Sequence, residues 1–185
     1  MAVAFITAGY PVLAMAVLLG AFGAPLPLTV ALSVAGSLAR QGRLDLAVLF
    51  VVCAAASVAG DSLGYAVGRF GLRRLPLPPI GAAWMARLQR FTRSRRPMCA
   101  LVFLTRWAIT APAPFVNLAV GARRYPWQSF LLVDAAGEAL WCTLAIAPGF
   151  LLGASGAISL PLSLAAGAVL TLIGVLLTQK VLPRL

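Results

Sequence analysis

Two uncharged apolar segments of this chain each open on a pair of prolines. Ala24-Pro25-Leu26-Pro27 begins a run that ends at Gly36, and Ala111-Pro112-Ala113-Pro114 begins another that ends at Gly121. Each is followed by a longer apolar stretch carrying a glycine–acid pair, Gly60-Asp61 and Gly137-Glu138. Proline lacks a backbone N–H and clashes with the preceding helical turn, so neither segment reads as one unbroken helix. Short, Pro-broken hydrophobic segments at matching places in two halves of a chain point to the binding site of a membrane transporter. The same features in the same order, met twice, point to an internal repeat.

Composition places the chain in a bilayer. Hydrophobic residues make up 62% and charged residues 10%, with a mean hydropathy of +0.98. A soluble domain carries about 25% charged residues. The expected architecture is an all-α integral membrane protein forming a single domain over residues 1–185. Repeat 1 covers about 1–71, repeat 2 about 82–153, and an extra transmembrane helix about 157–178. The net charge of +11 is uneven: no charged residue precedes Arg40, and eight of the fifteen basic residues lie within 69–96. Between hydrophobic spans such a cluster reads as a cytoplasmic loop under the positive-inside rule rather than as a nucleic-acid surface. The lack of early Lys or Arg argues against a cleaved signal peptide. Cys53, Cys99 and Cys142 sit in apolar runs without metal-ligand spacing, and there is no His. No metal, cofactor or His-dependent catalysis is expected, and without a nucleophile–base set hydrolysis is the weakest class of function.

Residues 44–67 and 127–153 are long enough to cross a bilayer. Residues 82–94 read as an amphipathic interfacial helix: Trp84, Met85, Leu88 and Phe91 share one arc, and Arg87, Arg90 and Arg93 oppose it, facing anionic lipid. If residues 98–121 turn back near Pro112 and Pro114 as a re-entrant hairpin, the basic cluster at 69–96 and Arg123-Arg124 lie on one side, as the charge rule prefers. The first repeat then places a hairpin over about 11–39, entering from the opposite face after a break at Pro11, with residues 2–19 left open to a full crossing. Freed backbone groups at such turns survive at membrane depth only when buried in protein or lining a wet cavity.

Four acids exist in the whole chain. Asp45, beside Arg43, is expected at a helix N-terminus. Asp61, Asp134 and Glu138 lie within apolar stretches, where a carboxylate costs about 3 kcal/mol at mid-span. Asp134 and Glu138 share a helix face, and Gly137 lets another backbone approach. Arg106 is the one basic residue deep in a hydrophobic segment and is the natural counter-ion. Intramembrane ionisable groups mark substrate or proton pathways, so these three acids are proton-coupling candidates. A structural salt bridge locking the hairpin is the competing role. Thr29, Thr110 and Asn117 flank the prolines, placed either to bond freed carbonyls or to meet a head group.

Pro25-Leu26-Pro27, Ala35-Gly36, the run Gly60-Asp61-Ser62-Leu63-Gly64-Tyr65-Ala66-Val67-Gly68-Arg69-Phe70-Gly71, Phe103-Leu104-Thr105-Arg106-Trp107, Ala119-Val120-Gly121 and residues 127–141 resemble the DedA family, also called the VTT or SNARE-associated family. The resemblance spans about 20–153 and implies two inverted re-entrant hairpins packed with spanning helices. Members are linked to moving lipids between leaflets, bacterial ones to recycling undecaprenyl phosphate with the proton gradient. Asp61 and Arg106 match the family's acid and first hairpin arginine. The chain departs in three places. Gly20, Ala21 and Phe22 stand where members often carry an acid, 110–114 holds no second arginine, and Glu138 stands where many members have a small residue, placed to supply the missing acid.

The leading expectation is a lipid flippase of a bacterial inner membrane, taking a polyprenyl phosphate or a phospholipid. Arg106, Pro25, Pro27, Thr110, Pro112, Pro114 and Asn117 are its substrate-binding candidates. A small-solute or ion transporter and a non-transporting scaffold are the alternatives.

Overall fold

The computed structural model describes residues 2–71, 95–107, 110 and 112–153, with five isolated positions between 165 and 176. Among these residues there are six helices and no strand: α1 (Ala2–Phe22), α2 (Leu28–Arg40), α3 (Leu46–Phe70), α4 (Arg95–Trp107), α5 (Ala113–Ala122) and α6 (Trp127–Leu152). Helices α3 and α6 are long and apolar enough to cross a membrane, whereas the others are shorter apolar helices or contain one. The expected interfacial helix with Arg87, Arg90 and Arg93, and nearly all of 157–178, lie outside the described residues.

The prolines act at helix starts. Pro27 is the N-cap of α2, Pro112 that of α5, and Pro114 occupies the first turn of α5. A missing N–H is harmless there because the first turn has no intrahelical acceptor for it. Pro11, in contrast, does not break its helix. It lies inside α1, so the first apolar arm starts well before residue 11. Membrane helices absorb a proline by local backbone adjustment and neighbouring contacts.

The short helices splay. α1 packs on α3 while α2 packs on α6; α4 packs on α6 while α5 packs on α3. Each pair of short helices therefore straddles both long ones. Near its middle α1 meets the start of α3, where the Tyr10 hydroxyl accepts from the Asp45 N–H at 2.7 Å. Near its end α1 lies at mid-α3, where the Leu18 carbonyl abuts Gly60. The second pair is tied at its own base, with Cys99 Sγ 3.0 Å from the Tyr125 hydroxyl. Asp45 caps α3 by accepting from the Val48 N–H at 2.9 Å, the helix-start role expected for it.

Glycines set the closest approaches. Gly36 of α2 lies against the Ile146 carbonyl and Phe150 N–H of α6, and Gly149 returns the contact to Ser33 and Ser37. Gly121 of α5 lies against the Tyr65 carbonyl and Arg69 N–H of α3, and Gly68 returns the contact to Leu118. With no water to drive association, small residues that let backbones touch are what packs helices in lipid. Two apolar clusters fill the ends, one around Leu32, Leu49, Cys53, Cys142 and Ile146, the other around Val102, Val116, Val120 and Phe130. Val51, Leu63, Leu132 and Leu151 point outward and are exposed.

Candidate functional site

The buried stripe of α3 runs Leu49, Cys53, Ser57, Gly60-Asp61, Gly64-Tyr65 and Gly68, a spacing of three or four that keeps one face inward. The stripe of α6 runs Phe130, Asp134, Gly137-Glu138, Cys142, Ala145-Ile146 and Gly149. Where the two stripes face each other, all three acids converge on the last turn of α4. Arg106 is 3% exposed, and Asp61, Asp134 and Glu138 are buried with it.

The arginine is held from several sides. Its Nε donates to Asp134 Oδ1, lies 3.3 Å from Asp61 Oδ2 and 3.6 Å from Glu138 Oε1. Nη2 donates to Asn117 Oδ1 at 2.5 Å, and Asn117 Nδ2 donates to Asp61 Oδ1 at 2.6 Å. Ser57 Oγ donates to Glu138 Oε2 at 2.5 Å. The guanidinium also sits 5.9 Å from the centre of the Phe130 ring, within cation–π range. Among the described residues Nη1, Asp61 Oδ2 and Asp134 Oδ2 are buried without a hydrogen-bond partner. Gly137 makes room for Arg106: a Cβ there would fall 2.7 Å from its Cγ.

One side of this cluster opens into a cavity of about 370 Å³. Its roof is the two proline turns, with Gly23 through Leu28 from the first and Thr110, Ala113 and Pro114 from the second. The turns touch: the Cβ position of Gly23 lies 3.4 Å from Pro114. Gly23 holds φ +127°, a conformation other residues rarely adopt. The polar wall is Arg106, Asp61, Glu138 and Ser57, with Trp141 beside it.

Of the residues singled out from sequence, Pro25, Pro27, Thr110, Pro114, Arg106, Asp61 and Glu138 line the cavity. Asp134, Asn117 and Pro112 do not; Asp134 and Asn117 are fully buried and hold the guanidinium without lining the cavity. Ser57 and Trp141 were not foreseen. Ser57 stands one turn before Asp61, which places it on the same face and was the available signal. The carboxylate oxygens of Asp61, Asp134 and Glu138 lie within 4.8 Å of one another. A metal ion there would share its ligands with the guanidinium, which already contacts all three.

A helical bundle that turns Leu, Val and Phe outward while burying three carboxylates and an arginine has the inside-out polarity of a membrane protein. The chain belongs to the VTT-domain family, whose sequence profile matches residues 11–151, the family its motifs resemble. It is 28% identical over 149 residues to an uncharacterized membrane protein of Synechocystis sp. (strain ATCC 27184 / PCC 6803 / Kazusa), a match covering 78% of this chain and 67% of that relative. No solved structure matches the chain.

Proposed function

We propose that this protein moves an anionic lipid, a polyprenyl phosphate such as undecaprenyl phosphate or a phospholipid, between the leaflets of a bacterial inner membrane, with proton exchange at its buried acids. The observation that carries the reading is Arg106, set in the wall of a cavity, with Nη1 buried and unpartnered among the described residues. In this reading the short helix pairs are inverted re-entrant hairpins, and their proline turns meet near the bilayer midplane over the cavity.

The charge balance supplies the coupling. Three carboxylates face one guanidinium. With all of them ionised the site repels an anion, strongly so at low dielectric. Protons on the carboxylates remove that repulsion and free Arg106 for a phosphate. Loss of those protons then expels the head group, so each conformational state has its own preferred ligand. Tails stay in lipid while the head group crosses.

Purified protein in liposomes should move fluorescent polyprenyl phosphate or phospholipid, and Arg106→Ala should abolish the movement. Equal transport by that variant removes Arg106 from the mechanism. A second reading is small-cation transport, favoured by the excess of carboxylates over guanidinium. It predicts cation uptake into lipid-substrate-free vesicles, lost in Asp61→Asn and Glu138→Gln.

A further inference from the structure

A guanidinium has five N–H groups in a fixed plane, so holding two of its nitrogens fixes where the third points. In Arg106 those two are Nε, bonded to Asp134, and Nη2, bonded to Asn117 at 2.5 Å. Neither holding residue lines the cavity, while Arg106 does. Nη1 is buried and has no hydrogen-bond partner among the described residues. We infer that Asn117 is a positioning residue: together with Asp134 it fixes the plane of the guanidinium, so that Arg106 meets an anionic head group entering the cavity in one set orientation.

The amide itself is fixed in one sense. Its oxygen faces a cation and its nitrogen faces Asp61 at 2.6 Å, so a flipped amide would oppose donor to donor and acceptor to acceptor. Asn117 is completely buried. Its Cβ would lie 3.1 Å from a side chain at Gly64, so α3 leaves it little room to turn. The inference rests on the anion-binding reading above and adds to it the residue that sets the arginine's orientation.

The test uses the full chain in detergent, titrated with farnesyl phosphate, together with flip rates in liposomes. Asn117→Leu removes both hydrogen bonds at similar volume. It should weaken farnesyl phosphate binding about tenfold, with a smaller change in transport rate at saturating lipid. Asn117→Asp keeps the shape and covers the case in which the leucine variant does not fold. The groups facing position 117 are Asp61 from α3 and Arg106 from α4, and the guanidinium that it holds also meets Asp134 and Glu138 of α6 through Nε. An ionised carboxylate at 117 adds repulsion, while a protonated one reproduces the amide's donor and acceptor. Binding by Asn117→Asp should therefore fall at pH about 8 and recover towards wild type at about 6, a recovery the leucine variant cannot show. Wild-type affinity in Asn117→Leu, or loss in Asn117→Asp that does not respond to pH, overturns the inference. Wild-type affinity in Arg106→Ala would instead overturn the anion-binding reading itself.

Discussion

Ser57 of α3 and Glu138 of α6 meet in a 2.5 Å hydrogen bond, 81 residues apart in the chain. The same separation relates Gly68 to Gly149, Tyr65 to Ile146 and Arg69 to Phe150, whose contacts with the short helices recur in kind. In that register the counterpart of Glu138 is Ser57. Asp61, which the glycine–acid pattern sets against Glu138, lies one helical turn further on. Chemistry is distributed unevenly over this framework: Arg106, Asn117, Asp134 and Glu138 all come from the second half, and the first contributes Asp61 and Ser57.

Removing the guanidinium should leave three buried carboxylates without a cation. Arg106→Ala is expected to cost about 3–5 kcal/mol of stability in addition to abolishing transport. Adding Asp134→Asn to that variant should restore part of the loss. Thermal unfolding in detergent measures both, and a double variant no more stable than the single one contradicts the account.

The Ser57–Glu138 bond is a neutral donor on a carboxyl group. Ser57→Ala and Glu138→Leu should each destabilise by about 1–3 kcal/mol. Because they remove the same contact, the pair should cost less than their sum, by about 0.5–3 kcal/mol. Strict additivity in a double-mutant cycle would show that the two side chains do not interact.

Gly137→Ala should act on the site and not only on packing, since the new methyl would meet Arg106 Cβ and Cγ at 2.8 and 2.7 Å. Loss of about 1–3 kcal/mol is expected from overpacking, with transport falling further than stability explains. Gly9→Ala, where nothing lies within 4 Å, is the control and should be neutral or stabilising by up to about 1 kcal/mol.

Gly36 and Gly121 make corresponding contacts with backbone atoms of the opposite half. Gly36→Leu and Gly121→Leu should therefore lower stability by similar amounts, each by about 1–3 kcal/mol or more, seen as matching drops in melting temperature. A large effect at one position and none at the other would show that the two contacts do not carry comparable weight.

Asp45→Ala removes the N-cap bond to Val48 at a helix end remote from the cavity. It should cost about 1 kcal/mol of stability and leave the flip rate per folded molecule unchanged. Transport assays normalised to folded protein check the second half of that statement.

Much of the framework was readable before any coordinates. The apolar stretches over 44–67 and 127–153 correspond to α3 and α6, shifted by at most three residues at any end. The helix break at Pro112 and Pro114 follows from the missing N–H, and so does the one before Leu28. Pro11 escaped the same rule because a lone proline leaves the rest of its helix able to pack, and the long apolar face of α1 is held against α3. Arg106 as counter-ion followed from its being the one cation within reach of three acids. Which acid it bonds through Nε, and the part played by Asn117, depended on side-chain directions that spacing alone does not set.

The order of residues by itself determined a lipid-embedded, helical chain with a small set of costly charges, because transfer into hydrocarbon depends on composition and on runs of about 20 residues. It also determined where helices must stop. Only the tertiary structure decided that each pair of short helices straddles both long ones, that Ser57 rather than Asp61 meets Glu138, and that Asp134 and Asn117 hold the arginine without lining the cavity while Asp61 and Glu138 line it. Those choices depend on glycine-sized gaps between helices remote in sequence, and a contact between distant backbones leaves no periodic trace in either one.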